Sequence, residues 1–345
     1  MTRRSPLPVR QGVNATRLRL PLTGPWETVH GYVLETFNHL DPASITSRFD
    51  ADEVVDAHGR PLSTATALGD AEFIWYYRTL PAEPVLPVTE RVLYEDEHLV
   101  VADKPHFLPT TPAGRYVQQS LLVRLRNSLG LDDLTPIHRL DRGTAGLVLF
   151  AKQAATRGKY QQLFQNQQVA KTYECISTIG EGLTPHSPDP QALAQRFPVT
   201  VRSRIRKTKG VVVSQLVPYP VADSGHQPEN RRLPRRGPRR TTAVGGANSA
   251  SRVELLRTGL SRKHDDVGQF RLTPHTGKTH QLRIHMALLG LGIMHDRFYP
   301  QLLPDAPDDF NKPLQLLAST LSFTDPLTGQ HRTFRSARRL VEAPQ

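Results

Sequence analysis

The sequence predicts an α+β protein built around a mainly antiparallel sheet, and three observations support this. Stretches with strand character outnumber helical ones, the longer helical patterns fall between runs of strands without alternating one for one, and 345 residues suffice for more than one globular unit. Residues 1–27, rich in Pro and Arg and without periodicity, read as a basic extended arm. Residues 28–80 read as a small accessory module, with a helical pattern in "ETVHGYVLETFNHL", a polar stretch, a Gly-containing turn in "DAHGRPL" and the strand-like "AEFIWYYR". Residues 81–90 form a Pro-rich linker, because Pro81, Pro84 and Pro87 each fix the backbone and remove a donor.

From residue 91 to about 340 the texture is that of the main domain. "RVLYEDEHLVVADKP" predicts two short strands around an acidic turn, "SLLVRLRNSLG" an amphipathic helix ended by Gly130, and "GLVLFAK" a buried strand. "AATRGKYQQLFQNQ" predicts a helix, and the alternation in "VAKTYECISTI" a half-buried strand. Further strands are expected at "FPVTVRSRIRK", "GVVVSQLV", "SRVELLRTG" and "GQFRLTP". At about 220–250 the apolar pattern stops, and six arginines fall within residues 231–240 among Pro, Gly and small residues. Such a stretch buries too little to order itself and reads as a disordered insertion that can also seek phosphates.

Lys and Arg outnumber Asp and Glu by 44 to 32, a formal charge of +12, which favours a polyanionic partner, nucleic acid ahead of an anionic membrane. The single cysteine, Cys175, excludes an intramolecular disulfide and any zinc site needing several thiolates. The basic start has no apolar segment after it, and no run of eighteen apolar residues occurs, so the expectation is a cytoplasmic protein without a membrane partner.

Two segments could carry chemistry. "PIHRLDRGTAGLVLFAK" places His138, Arg139 and Asp141 in a turn before a buried strand. Asp141 either organises that turn or is a preorganised nucleophile, since a carboxylate is ionised at neutral pH and needs no activating base. "TPHTGKTHQLRIHMALLG" begins a helix at Gly277 whose Leu282, Ile284, Ala287 and Leu288, with Leu291 beyond, are spaced to bury one side. His280 and His285 lie five apart and point to different faces, which argues against a helical metal pair. Arg283 stands near the core boundary, where a basic residue either finds a carboxylate, with Asp141 the candidate, or reaches solvent. In "AKTYECIS", Tyr173 is either a core residue or a stacking platform for a base, worth about 1–3 kcal/mol.

Taken in order, "HRLDRGTAGLVLFAK", "KTYECI" and "HTGKTHQLRIHMALLGLGIMHDRFY" resemble the RluA family of RNA pseudouridine synthases, from about Leu93 to Phe334. The resemblance implies the pseudouridine synthase fold, a mixed, mostly antiparallel central sheet flanked by helices, here with a small N-terminal module. It implies conversion of uridine to pseudouridine without metal or cofactor; the expected substrate is ribosomal or transfer RNA, and the expected state is a monomer needing no protein partner. Asp141 matches the catalytic aspartate, Arg283 the basic residue paired with it, Tyr173 the tyrosine that stacks on the flipped base, and Arg139 the arginine that replaces that base in the stack. His138, Arg142, Lys171, Lys278 and His280 fall on the RNA-binding side. Ala145, Gly292 and His295 depart from the family's usual Ser, Pro and Gly without removing a catalytic position. The turn and "GD" pattern of residues 47–76 are similar to an S4 RNA-binding domain. The alternative is a non-catalytic RNA-binding or ribosome-assembly protein on the same scaffold, against which the joint retention of Asp141, Arg139, Tyr173 and Arg283 argues.

Overall fold

The computed structural model describes residues 5–80, 82–179, 190–217, 246–263 and 266–345. They divide into two units, residues 1–85 with 111–134 and residues 86–110 with 135–345. In the first, β1 (Thr16–Arg19) pairs antiparallel with β2 (Phe73–Tyr76), so the expected extended arm contributes a strand. Thr28 caps α1 (Val29–Thr36) by accepting from the Gly31 amide. Asp41 caps α2 (Pro42–Asp50), accepting from Ala43 and Ser44 with Pro42 in the first turn. Helix α2 occupies the predicted polar stretch; only Ile45 and Phe49 of its nine residues are buried, too sparse an apolar period to read. Val29, Val33, Ile45, Phe49, Leu62 and Ile74 form the core of this unit.

Helix α3 (Leu121–Leu129), closed by Gly130 at φ 66° as predicted, belongs to this first unit and not to the span beginning at residue 91. The cause is Arg126, whose buried guanidinium donates to the carbonyls of Gly12 and Leu134. A buried guanidinium must satisfy its donors, and those acceptors lie in this unit.

The second unit is a sheet joined by helices. Its strands are β3 (Arg91–Glu95), β4 (Leu99–Lys104), β5 (Thr135–Pro136), β6 (Ala145–Ala151), β7 (Ala170–Thr178), β8 (Val199–Ser203), β11 (Ser249–Gly259), β12 (Val267–Pro274), β13 (Leu316–Thr324) and β14 (His331–Arg335), while β9 (Ile205–Arg206) and β10 (Gln215–Leu216) form a separate hairpin. The main order is β3-β4-β6-β13-β7-β12-β11-β8, with β14 on β13 and β5 on β6. Among the described residues the pairings are antiparallel except β13 with β6, so the sheet is mixed and mostly antiparallel.

Helix α4 (Ala154–Gln165) sets Tyr160 and Leu163 against Leu99, Leu149 and Phe323, while α6 (Gln281–Leu288) sets Leu282 and Met286 against Cys175, Phe270 and Leu272; α5 (Pro190–Gln195) is a short helix before β8. The apolar side predicted for α6 is corrected. Gln281 through Met286 are all buried and Leu288 is 47% exposed, because this eight-residue helix is surrounded along its first turns and not packed on one face. "GVVVSQLV" likewise holds only the two residues of β10, and Val212 is exposed. Residues 218–245, which hold most of the predicted Arg-rich insertion, lie outside the described residues. No described helix is long and apolar enough to cross a membrane.

Candidate active site

Asp141 opens a turn in which the Thr144 amide donates to its carbonyl at 3.1 Å, and the chain then enters β6, buried from its first residue. The turn is held from beneath. Thr110 Oγ1 donates to the Leu140 carbonyl at 2.9 Å and accepts from the Leu140 amide at 3.1 Å. Lys104, wholly buried, donates to the carbonyls of Pro105, Leu108 and Arg142. Burial lowers its pKa to about 7, with the Asp141 charge acting in the opposite direction. With its backbone fixed on both sides, the Asp141 side chain is 31% exposed to an open cleft.

Across that cleft stands Arg283, with Nη1 3.7 Å from Asp141 Oδ2. Its closer partner is Asp296, whose side chain is fully buried: Nε donates to Oδ2 at 2.7 Å and Nη2 to Oδ1 at 2.5 Å. Burial opposes the charge on Arg283, but the hydrogen bonds and charge of Asp296, then that of Asp141, outweigh it and raise its pKa. Asp296 also accepts from the amides of Phe298 and Tyr299, and the guanidinium lies over both rings, 4.7 and 5.4 Å from their centroids. The sequence named Asp141 as the carboxylate for Arg283; Asp296 holds the guanidinium in place, and Asp141 feels its field.

His280 precedes α6 with φ 59°, and its Nε2 lies 3.7 Å from Asp141 Oδ2. Tyr173 stands on β7 between Leu272 of β12 and Ala318 of β13. Burial, then the Asp141 charge, pushes its phenol pKa up, so the hydroxyl is neutral. Asp141, Tyr173, His280 and Arg283 line one cleft of about 1210 Å³. A family model for RNA pseudouridylate synthases matches residues 98–288, more than half of the chain and all four of these positions. The chain belongs to this family.

Individual relatives agree with the family match. The dual-specificity RNA pseudouridine synthase RluA of Haemophilus influenzae is 29% identical over 259 residues, 74% of this chain and 94% of that one. The tRNA pseudouridine(31) synthase of Saccharomyces cerevisiae is 28% identical over 217 residues, 63% of this chain and 48% of the yeast protein. The solved structure of human RNA pseudouridylate synthase domain containing 1 superposes with a TM-score of 0.50 at 18% identity, covering 74% of this chain and 86% of that one, which shows the fold.

In this pseudouridine synthase the other predicted residues divide by surroundings. Arg139 and Lys278 are exposed and line the cleft, as does the half-buried Lys171, whose ammonium pKa is lowered by burial. His138 also reaches the cleft, but its ring stacks on Phe164 with centroids 4.6 Å apart and its Nε2 accepts from the Leu149 amide. Burial, with Lys171 adding to it, lowers its pKa to about 3, so at neutral pH it presents no charge to an RNA phosphate. Arg142, predicted on the RNA side, is not among the residues lining the cleft; its guanidinium forms a two-pronged ion pair with Asp308. His285 is buried, with Nε2 3.0 Å from Ser203 Oγ, away from His280. Among the described residues no group of three His, Cys, Asp or Glu side chains is placed to hold a metal ion.

Sequence reasoning passed over Asp296, Tyr299, Lys104 and Asp308. The signal in the sequence was indirect: "GIMHDRFYP" follows α6 closely enough to fold back on it, and a buried Arg283 needs a carboxylate.

Proposed function

We infer that the protein isomerises specific uridines of ribosomal or transfer RNA to pseudouridine, with Asp141 as the acting carboxylate. The observation that carries this reading is the Asp141 side chain standing in a cleft, 3.7 Å from a guanidinium that a buried Asp296 holds in place. That arrangement sets a fixed positive charge near the carboxylate without tying it up in a tight ion pair. The target uridine is flipped out of its stack, Arg139 at the exposed rim enters the gap, and the Tyr173 ring supports the extruded base. Asp141 assists cleavage of the bond between uracil N1 and ribose C1′. The base turns while trapped, and its C5 joins C1′. The walls must keep water from the intermediate, which would otherwise lose its base.

Charge supports RNA binding on the second unit. Residues 86–110 and 135–345 carry 33 Lys and Arg against 20 Asp and Glu, whereas the first unit carries 11 against 12. Residues 28–80, an S4-like accessory module in this reading, hold three basic and eight acidic residues, so phosphate attraction falls to the catalytic domain. The yeast relative's name places transfer RNA among the substrates to examine. The reading includes action in the cytoplasm as a monomer. Pseudouridine maps of ribosomal and transfer RNA from cells with and without the gene test it: one or more sites should vanish in its absence, and identical maps contradict the reading.

A further inference from the structure

Tyr299 fixes the hydrogen on a neighbouring ring. A tyrosine hydroxyl has one hydrogen and two lone pairs. The Ser214 carbonyl oxygen, 2.9 Å away, can only accept and takes the hydrogen. The Ser214 amide, at 2.7 Å, can only donate and occupies one lone pair. His280 Nδ1, at 3.1 Å, faces the remaining lone pair and must itself carry a hydrogen. The bare nitrogen of the neutral ring is therefore Nε2, the atom 3.7 Å from Asp141 Oδ2. Two acceptors facing each other make no hydrogen bond. The arrangement becomes favourable only when Nε2 receives a proton, because the resulting cation then lies beside a carboxylate.

Pseudouridine formation requires such a proton to be received. When C5 attacks C1′, C5 becomes tetrahedral, still holding its hydrogen beside an N1=C6 double bond. Removal of that hydrogen as a proton lets the C–H electron pair re-form C5=C6, while N1 takes a proton from solvent, so the product is an isomer of the substrate. We propose that His280 Nε2 is the base that removes the C5 proton, an inference that rests on the reading of the protein as an active pseudouridine synthase. His280 lines the same cleft as Asp141 and Tyr173. The other groups there suit the task less well. The Tyr173 phenol retains its proton, because burial and Asp141 both raise its pKa, and Arg283 stays charged. Asp141, Arg283, Asp296, Lys207 and Tyr299 are the ionisable groups that face His280. Burial lowers the pKa of the ring most, Asp141 opposes that, and Arg283 adds to it, which keeps Nε2 bare at neutral pH and gives the proton a place to rest before it passes to solvent.

The test compares wild type, His280→Ala and His280→Gln on RNA carrying hydrogen or deuterium at uridine C5. Glutamine can still bond Tyr299 but cannot take the proton, so it provides a second variant should the alanine protein fold poorly. At saturating RNA both variants should form product about 100-fold or more slowly, the usual contribution of a general base. They should also show a primary deuterium isotope effect larger than that of wild type, and added imidazole should restore part of the rate to His280→Ala. Wild-type rates in the variants overturn the proposal, as does a slow reaction with no isotope effect, which would make His280 a positioning residue. If wild type itself makes no pseudouridine, the functional reading fails first and this inference with it.

Discussion

Asp141 and Arg283 are separated by 3.7 Å, a Coulombic distance, while Arg283 and Asp296 are joined at 2.7 and 2.5 Å. The tight pair is the structural one. Replacing Asp296 with Ala should therefore leave a guanidinium buried without its partner and cost about 3–5 kcal/mol of stability, measured by urea unfolding. A loss below about 1 kcal/mol would show that Arg283 relaxes elsewhere. Desolvated histidines give a second prediction. His106, His138 and His285 have pKa values lowered by burial to about 4, 3 and 4, against an ordinary value of 6.5. Below pH 6.5 the unfolded chain binds protons that the folded chain refuses, so stability is full above that pH and declines as pH falls toward 4. Each histidine contributes up to about 1.4 kcal/mol per pH unit in that window. Denaturant midpoints at pH 7, 6 and 5 should fall steadily, and a flat profile counts against neutral burial of these rings. That Asp141, Tyr173 and Arg283 share one cleft was legible in the sequence because each sits in a local motif. Asp296 and Tyr299 were not, because their partners lie up to 85 residues away and only the fold brings them together.

One connection after α6 fixes much of the site. Asp296 holds Arg283, Tyr299 holds His280, and Asp308 holds Arg142, the residue following Asp141. On the opposite side, Gly146 of β6 has φ +112°, and an added Cβ would meet the Ala318 carbonyl oxygen of β13 at 2.2 Å. Gly146→Ala should cost at least about 2 kcal/mol from strain and overpacking, lowering Tm and activity together because β6 begins four residues after Asp141. A variant with unchanged Tm would mean that β6 and β13 pack more loosely than described. Strands β3, β4, β6, β7, β11 and β12 and helices α1, α3 and α4 were legible from periodicity and from stops such as Gly130. No strand was expected at "LLASTLSFT", where Ala318, Ser319 and Thr320 interrupt the apolar run, yet β13 sits mid-sheet with β6 on one edge and β7 on the other. Its place is set by those neighbours and not by its own pattern.

Across the whole molecule, the net charge of +12 was an accurate pointer to a polyanionic substrate, but composition alone did not reveal that the second unit carries the excess. Deleting residues 225–245 removes six arginines. The deletion should weaken RNA binding and flatten its dependence on salt by about 0.7 in logarithmic slope for each single-strand phosphate that is no longer neutralised; an unchanged slope means the segment neutralises no phosphate. In the proposed function one carboxylate in a prepared cleft carries the isomerisation. This role is tested most directly by quantifying pseudouridine formed in RNA by the purified protein and by Asp141→Asn, an isosteric change that removes the negative charge. The variant should fold and bind RNA like wild type while forming no pseudouridine; product formed by the variant at the wild-type rate would rule out Asp141 as the acting carboxylate.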